Sequence, residues 1–149
     1  MIIDAQNRFS NAQAVTSTAI SENVINLGSA NTLRDIGNGR QPLYLVVQTI
    51  AVATDSGSDA TLTVTLESDS TENLATSATV HFSTGALAFA TFSPANTVLA
   101  VVALPMGNYE QYLGLRYTVA SGPLTAGTFT AFLTPDPQQW RAYLQGSSV

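Results

Sequence analysis

The chain has 149 residues, no cysteine, one histidine and only 10% charged residues, with a net charge of −5. Without cysteine there are no disulfides, thiolate metal sites or cysteine nucleophiles, and an acidic chain lacks the basic stripe that displaces counterions from phosphates. Direct binding to nucleic acid or to an anionic membrane surface is therefore disfavoured, and with arginine (Arg8, Arg34, Arg40, Arg116, Arg141) as the only basic residue type, Schiff-base chemistry has no lysine to use.

Residues 1–14 carry isolated apolar anchors, Ile2, Ile3 and Phe9, among polar groups, a pattern that predicts an extended arm lying on another surface. Their start has neither the basic nor the apolar region of a secretory signal, so synthesis in the cytoplasm is expected. Short strands are predicted at residues 15–20 and 24–27. Residues 43–52 are apolar on both faces, as expected of a strand covered on one side by the core and on the other by an arm, a loop or a partner chain. Leu62, Val64 and Leu66 then alternate with Thr61, Thr63 and Thr65, a period of two that defines a half-buried strand. A short strand follows at 79–82, where alternation sets His81 opposite Val80 and faces it to solvent. Residues 98–104 are again apolar on both faces. Leu113, Leu115, Tyr117 and Val119 share a face, as do Phe129, Ala131 and Leu133.

Turn signals separate these segments at Gly37-Asn38-Gly39, residues 55–59, 68–77, Gly85, Ser93-Pro94, 105–108 and 121–123. About eight short strands, spaced by roughly ten residues and uninterrupted by a helical period, predict an all-β fold, an antiparallel jelly-roll-like β-sandwich. Its expected bounds are 15–135, between an N-terminal arm at 1–14 and a C-terminal tail at 136–149. Within the tail, Pro135-Asp136-Pro137 is suited to start a short helix with Trp140, Tyr143 and Leu144 on one face. That face either closes the base of its own sandwich or docks on a neighbour, with Trp140, Arg141 and Tyr143 as a hot-spot cluster.

Chemistry-bearing motifs are few. His81 alone cannot build a histidine metal site or an imidazole dyad, and the chain holds no G-x-S-x-G elbow, P-loop or G-x-G-x-x-G. Asp55 and Asp59 flank a turn, and Glu67, Asp69 and Glu72 cluster in a polar connection. Either group could offer oxygens to Ca²⁺, but the spacing is not that of an EF-hand, and solvated turn carboxylates are the plainer explanation. The expectation is a protein that is not an enzyme, with no catalytic residue, no cofactor and no metal.

Three segments resemble the small cement proteins that decorate the heads of certain short-tailed bacteriophages: DAQNRFSNAQAVT (4–16), RDIGNGRQPLYLVVQ (34–48), and YLGLRYTV (112–119) followed by TAGTFTAFLTPDPQ (125–138). The resemblance implies a structural virion subunit on the outer surface of the capsid, where it bridges neighbouring major capsid proteins and steadies the shell against packaged DNA. The implied partners are the major capsid protein and the chain itself, first as a homodimer and next as a homotrimer, with no direct nucleic-acid or membrane partner. Ile2, Ile3, Arg8 and Phe9, with Trp140, Arg141 and Tyr143, are the expected capsid or self-interface residues. Deleting residues 1–9 is then expected to weaken attachment with little loss of melting temperature. Arg34 and Asp35 either reach a neighbour or pair internally to hold the Gly37 turn. The alternative is a jelly-roll receptor- or carbohydrate-binding module of a phage tail protein, with an aromatic platform drawn from Trp140, Tyr109, Tyr112 and Tyr143.

Overall fold

A computed structural model describes residues 4–29, 36–39 and 41–137. Among them a 3₁₀ turn at Ala5–Asn7 leads into ten strands: β1 (Arg8–Ala14), β2 (Ala19–Ile20), β3 (Ile25–Asn26), β4 (Tyr44–Thr54), β5 (Thr61–Asp69), β6 (Thr79–Ser83), β7 (Leu87–Ala88), β8 (Thr97–Ala103), β9 (Tyr112–Ala120) and β10 (Ala126–Thr134). One helical turn, α1 (Phe89–Phe92), follows β7. Every strand pair is antiparallel. The first sheet runs β1-β10-β4-β8; in the second, β9 and β5 are central, with β2 and β3 beside β9 and β6 and β7 beside β5. If β2 with β3, and β6 with β7, are each counted as one interrupted strand, the expected eight result. Their order is then first-eighth-third-sixth in one sheet and second-seventh-fourth-fifth in the other, the nested Greek keys of a jelly roll.

The threonine and leucine alternation of β5 does what its period requires. Leu62, Val64 and Leu66 turn inward with Leu113, Leu115 and Tyr117 of β9, and meet Leu45, Val47, Phe129, Ala131 and Leu133 of the opposite sheet. Tyr117 and Phe129 join the layers, their ring centroids 5.7 Å apart. Because Tyr117 lies wholly inside, its hydroxyl donates to Ser10 Oγ at 3.0 Å, and burial pushes the phenol up to about 12 against the opposing pull of that bond. At one end Phe92 of α1 plugs the sandwich, and its carbonyl accepts from the buried Thr49 hydroxyl at 2.7 Å.

The predicted arm is shorter than expected. Arg8–Ala14 is the edge strand β1, paired to β10, and Phe9 is fully buried in the core. Two register shifts explain the missing alternation: one falls between Arg8 and Ser10 and turns Phe9 inward, and the other spans Ala12, whose φ is 51°. Phe9 is therefore a core residue and not an interface anchor, and a deletion through it removes part of the fold.

Three other expectations change. The strand predicted at 15–20 pairs only at Ala19–Ile20. His81 is half-buried and not simply solvent-facing: a register shift between Leu66 and Glu67 makes it the extra residue of β6, and it packs against Ser68 and Tyr109. The second apolar face of β4 is covered at Val46, which lies outside the core cluster yet is fully buried, whereas the matching face of β8 leaves Val98 and Val101 46% and 48% exposed. Ile2, Ile3, Arg34, Asp35, Trp140, Arg141, Tyr143 and the helix expected in the tail lie outside the described residues.

A candidate contact surface

Arg8 is the one expected interface residue that the described structure leaves available for contact. Asp4 caps the 3₁₀ turn ahead of it, accepting from the Gln6 amide at 3.0 Å and from Asn7 Nδ2 at 3.4 Å. The chain then enters β1, where the Phe9 carbonyl accepts from the Asn23 amide at 2.8 Å and the Arg8 carbonyl from Asn23 Nδ2 at 3.4 Å. These bonds lash the start of β1 to the segment preceding β3. An open cleft of about 380 Å³ lies between them, bordered by Gln6, Arg8, Asn23, Val24, Ile25 and Asn26. Arg8 borders this cleft; its guanidinium has no hydrogen bond or ion pair among the described residues, and its Nε is shut off from solvent. A buried donor left in this state costs about 1–3 kcal/mol. Sequence reasoning named Arg8 but missed the cleft; the Asp4 cap was its legible signal, whereas Asn23 arrives through tertiary contact.

Arg116 shows the opposite situation. On the outer face of the second sheet its Nε donates to both Glu67 oxygens, at 2.9 and 3.2 Å, and its Nη2 donates to the Leu74 carbonyl at 2.6 Å. Thr65 adds a 2.6 Å bond to the same carboxylate. The connection after β5 is thereby drawn down onto the sheet, and Leu74 is buried over Gly114, where a β-carbon would stand 2.9 Å from Leu74 Cδ1 and 3.1 Å from Val24 Cγ2.

Asp69 organises that connection, accepting from Thr76 N at 2.9 Å, Thr71 N at 3.2 Å and Ser70 Oγ at 3.2 Å. Burial pushes its carboxyl up, but these donors outweigh burial and hold it below the usual 3.8. The folded value is the lower one, so this fastening is fully present above pH 3.8 and is lost as pH falls through the folded value. Hydrogen exchange should show Thr76 amide protection falling in that acid range, and Asp69→Asn should remove the extra protection at neutral pH.

Asp55, Glu67 and the His81–Ser68 pair are likewise occupied in holding the fold. Asp55 accepts from the Asp59 and Ala60 amides, both at 3.1 Å; burial raises its carboxyl, and these bonds bring it below 3.8. Glu67 serves Arg116. Among the described residues, no group of three histidine, aspartate or glutamate side chains is placed to hold a metal ion. His81 Nε2 lies 2.7 Å from Ser68 Oγ, and its ring is 4.2 Å from that of Tyr109. Burial lowers the imidazole below 6.5, against Glu110, which raises it. Ser68 is fully buried, so this pair fastens strands and presents no nucleophile. Tyr109 is also buried, with its hydroxyl donating to the Pro105 carbonyl, which removes it from any exposed aromatic platform.

A second surface runs along β8. This edge strand contains no charge and no proline, and Ala100–Ala103 pairs without interruption to Tyr44–Val47, leaving its far side unpaired among the described residues. The other sheet edges are broken into two-residue pieces or carry register shifts, and β8 itself slips at Leu99, between the Gln48–Val98 and Val47–Ala100 pairs. Breaks of this kind are how natural sheets discourage edge pairing, and Ala100–Ala103 lacks them. Val98 and Val101, with Val52 of β4 at 54% exposure, set apolar groups at the surface.

These features define a jelly-roll β-sandwich with its polar connections fastened down, an open apolar edge and an unpaired arginine at one corner. The chain belongs to the Bbp16 family, whose sequence model matches residues 9–133. No curated protein matches it.

Proposed function

We propose that this chain is a structural virion subunit, a cement protein that binds the outside of a bacteriophage head and bridges neighbouring major capsid proteins. The observation that carries the proposal is the uncharged, uninterrupted edge at Ala100–Ala103 with its exposed valines, on a chain in which only 10% of residues are charged. Depletion of charge around exposed apolar groups marks surfaces that other chains cover. The three segments that resemble cement proteins support the same reading, and membership of the Bbp16 family agrees with it only at the level of a phage-related protein. A rigid sandwich suits the task because a bridge must transmit load without yielding, and several modest contacts on one oligomer reinforce one another through effective concentration.

Self-association along β8 in antiparallel register is the form expected, a homodimer before a homotrimer. Light scattering on the purified protein together with co-sedimentation on DNA-free heads tests the proposal. Binding that raises the temperature at which the heads rupture supports it; a strict monomer that leaves heads unaltered overturns it.

A further inference from the structure

We infer that Arg8 and the cleft beside it form a receptor for a carboxylate side chain presented by an acidic segment of a partner protein. The inference deepens the virion reading, on which it rests for the identity of the partner.

Several observations converge on that corner. The Arg8 guanidinium has no ion pair or hydrogen bond among the described residues, although its Nε is shut off from solvent, where water cannot satisfy it. The same fold saturates Arg116 with a carboxylate and a carbonyl, so partners are provided where an arginine works internally. The acids nearest Arg8 along the chain are turned elsewhere: Asp4 caps the 3₁₀ turn, and Glu22 accepts from the Asn11 amide at 3.5 Å. No acid of the described chain lies within 4.0 Å of Arg8, the distance that defines an ion pair.

The cleft suits a carboxylate. Its volume of about 380 Å³ admits an aspartate or glutamate side chain. A planar guanidinium offers paired N–H groups that match the two carboxylate oxygens, and the bordering amides of Gln6 and Asn23 can add donors. Val24 and Ile25 on the same rim lower the local dielectric and strengthen the pair. The site is also stiff, because Phe9 anchors the next residue in the core and Asn23 holds the Arg8 carbonyl, so little freedom is lost on binding. The net charge of −5 repels a long polyanion, which senses the whole molecule. A single carboxylate inside a Debye length of about 8–10 Å senses chiefly the local cation.

Two measurements test the inference. In the isolated protein, the Arg8 Nε–H resonance is followed while a blocked Gly-Glu-Gly peptide, its Gly-Gln-Gly counterpart and inorganic phosphate are titrated separately. The glutamate peptide should shift the resonance to saturation, and the glutamine peptide should not. In the second, head binding is compared for wild type, Arg8→Met, which keeps the apolar stem, and Arg8→Lys, which keeps the charge and loses the fork. Arg8→Met should bind roughly 10- to 100-fold more weakly with an undiminished melting temperature, and Arg8→Lys should recover only part of the loss. An unmoved Arg8 signal, an equal response to phosphate, or wild-type head binding by Arg8→Met overturns the inference. If the glutamate peptide binds while the wild-type protein ignores heads, the carboxylate site stands and the virion reading fails.

Discussion

Phe9→Ala is expected to cost about 3–5 kcal/mol, lowering the melting temperature by on the order of 10 °C. Phe9 is fully enclosed, and its neighbour Ser10 accepts the buried Tyr117 hydroxyl. Truncation therefore empties a ring-sized volume between two layers that are tied together on either side of it. The surrounding strands cannot close the gap, because β1 is held to β10 by backbone bonds and to residue 23 by the Phe9 carbonyl. Thermal unfolding checks this directly. A melting temperature within a degree or two of wild type would mean that Phe9 belongs to an arm after all. The same physics reverses the expected tolerance of a 1–9 deletion, which should now unfold the subunit.

Arg116→Ala should cost about 3 kcal/mol, towards the lower end of the range for breaking a buried ion pair. The Glu67 side chain is only 6% exposed and that of Arg116 29%, so the variant strands a carboxylate away from water while some solvent still reaches the vacated side. The loss extends beyond one pair, because the Leu74 carbonyl also gives up its donor and the connection that Leu74 pins over Gly114 is released. Adding Glu67→Ala to Arg116→Ala should restore part of the stability, since no uncompensated charge then remains. A double variant less stable than the sum of the two single losses would show that the pair is not what holds this face.

The central strands were legible because their period is local. Leu62, Val64 and Leu66 announce an inner face without knowledge of any partner, and β9 and β10 could be placed in the same way, whereas β4 and β8 were legible as runs apolar on both faces. Where the backbone slips register the pattern is erased, which hid β1 and the partial burial of His81. Leu74 was hidden differently, as one apolar residue in a polar stretch whose burial depends on a glycine forty residues away. The Arg116–Glu67 pair joins adjacent strands far apart in sequence, and no spacing rule reveals it. The unpaired state of Arg8 is the least legible feature, because it depends on where every nearby acid points.

The pairing of Arg8 with Phe132 and of Ala14 with Thr128 brings the first and last strands side by side, so β1 begins where β10 ends. The described chain therefore enters and leaves this sheet at the corner that holds Arg8. The Asp55–Asp59 turn lies at the far end of the same sheet, where Thr54 meets Ala126. A peptide grafted into that turn would be displayed away from the corner, making it the better site for loading cargo onto this scaffold.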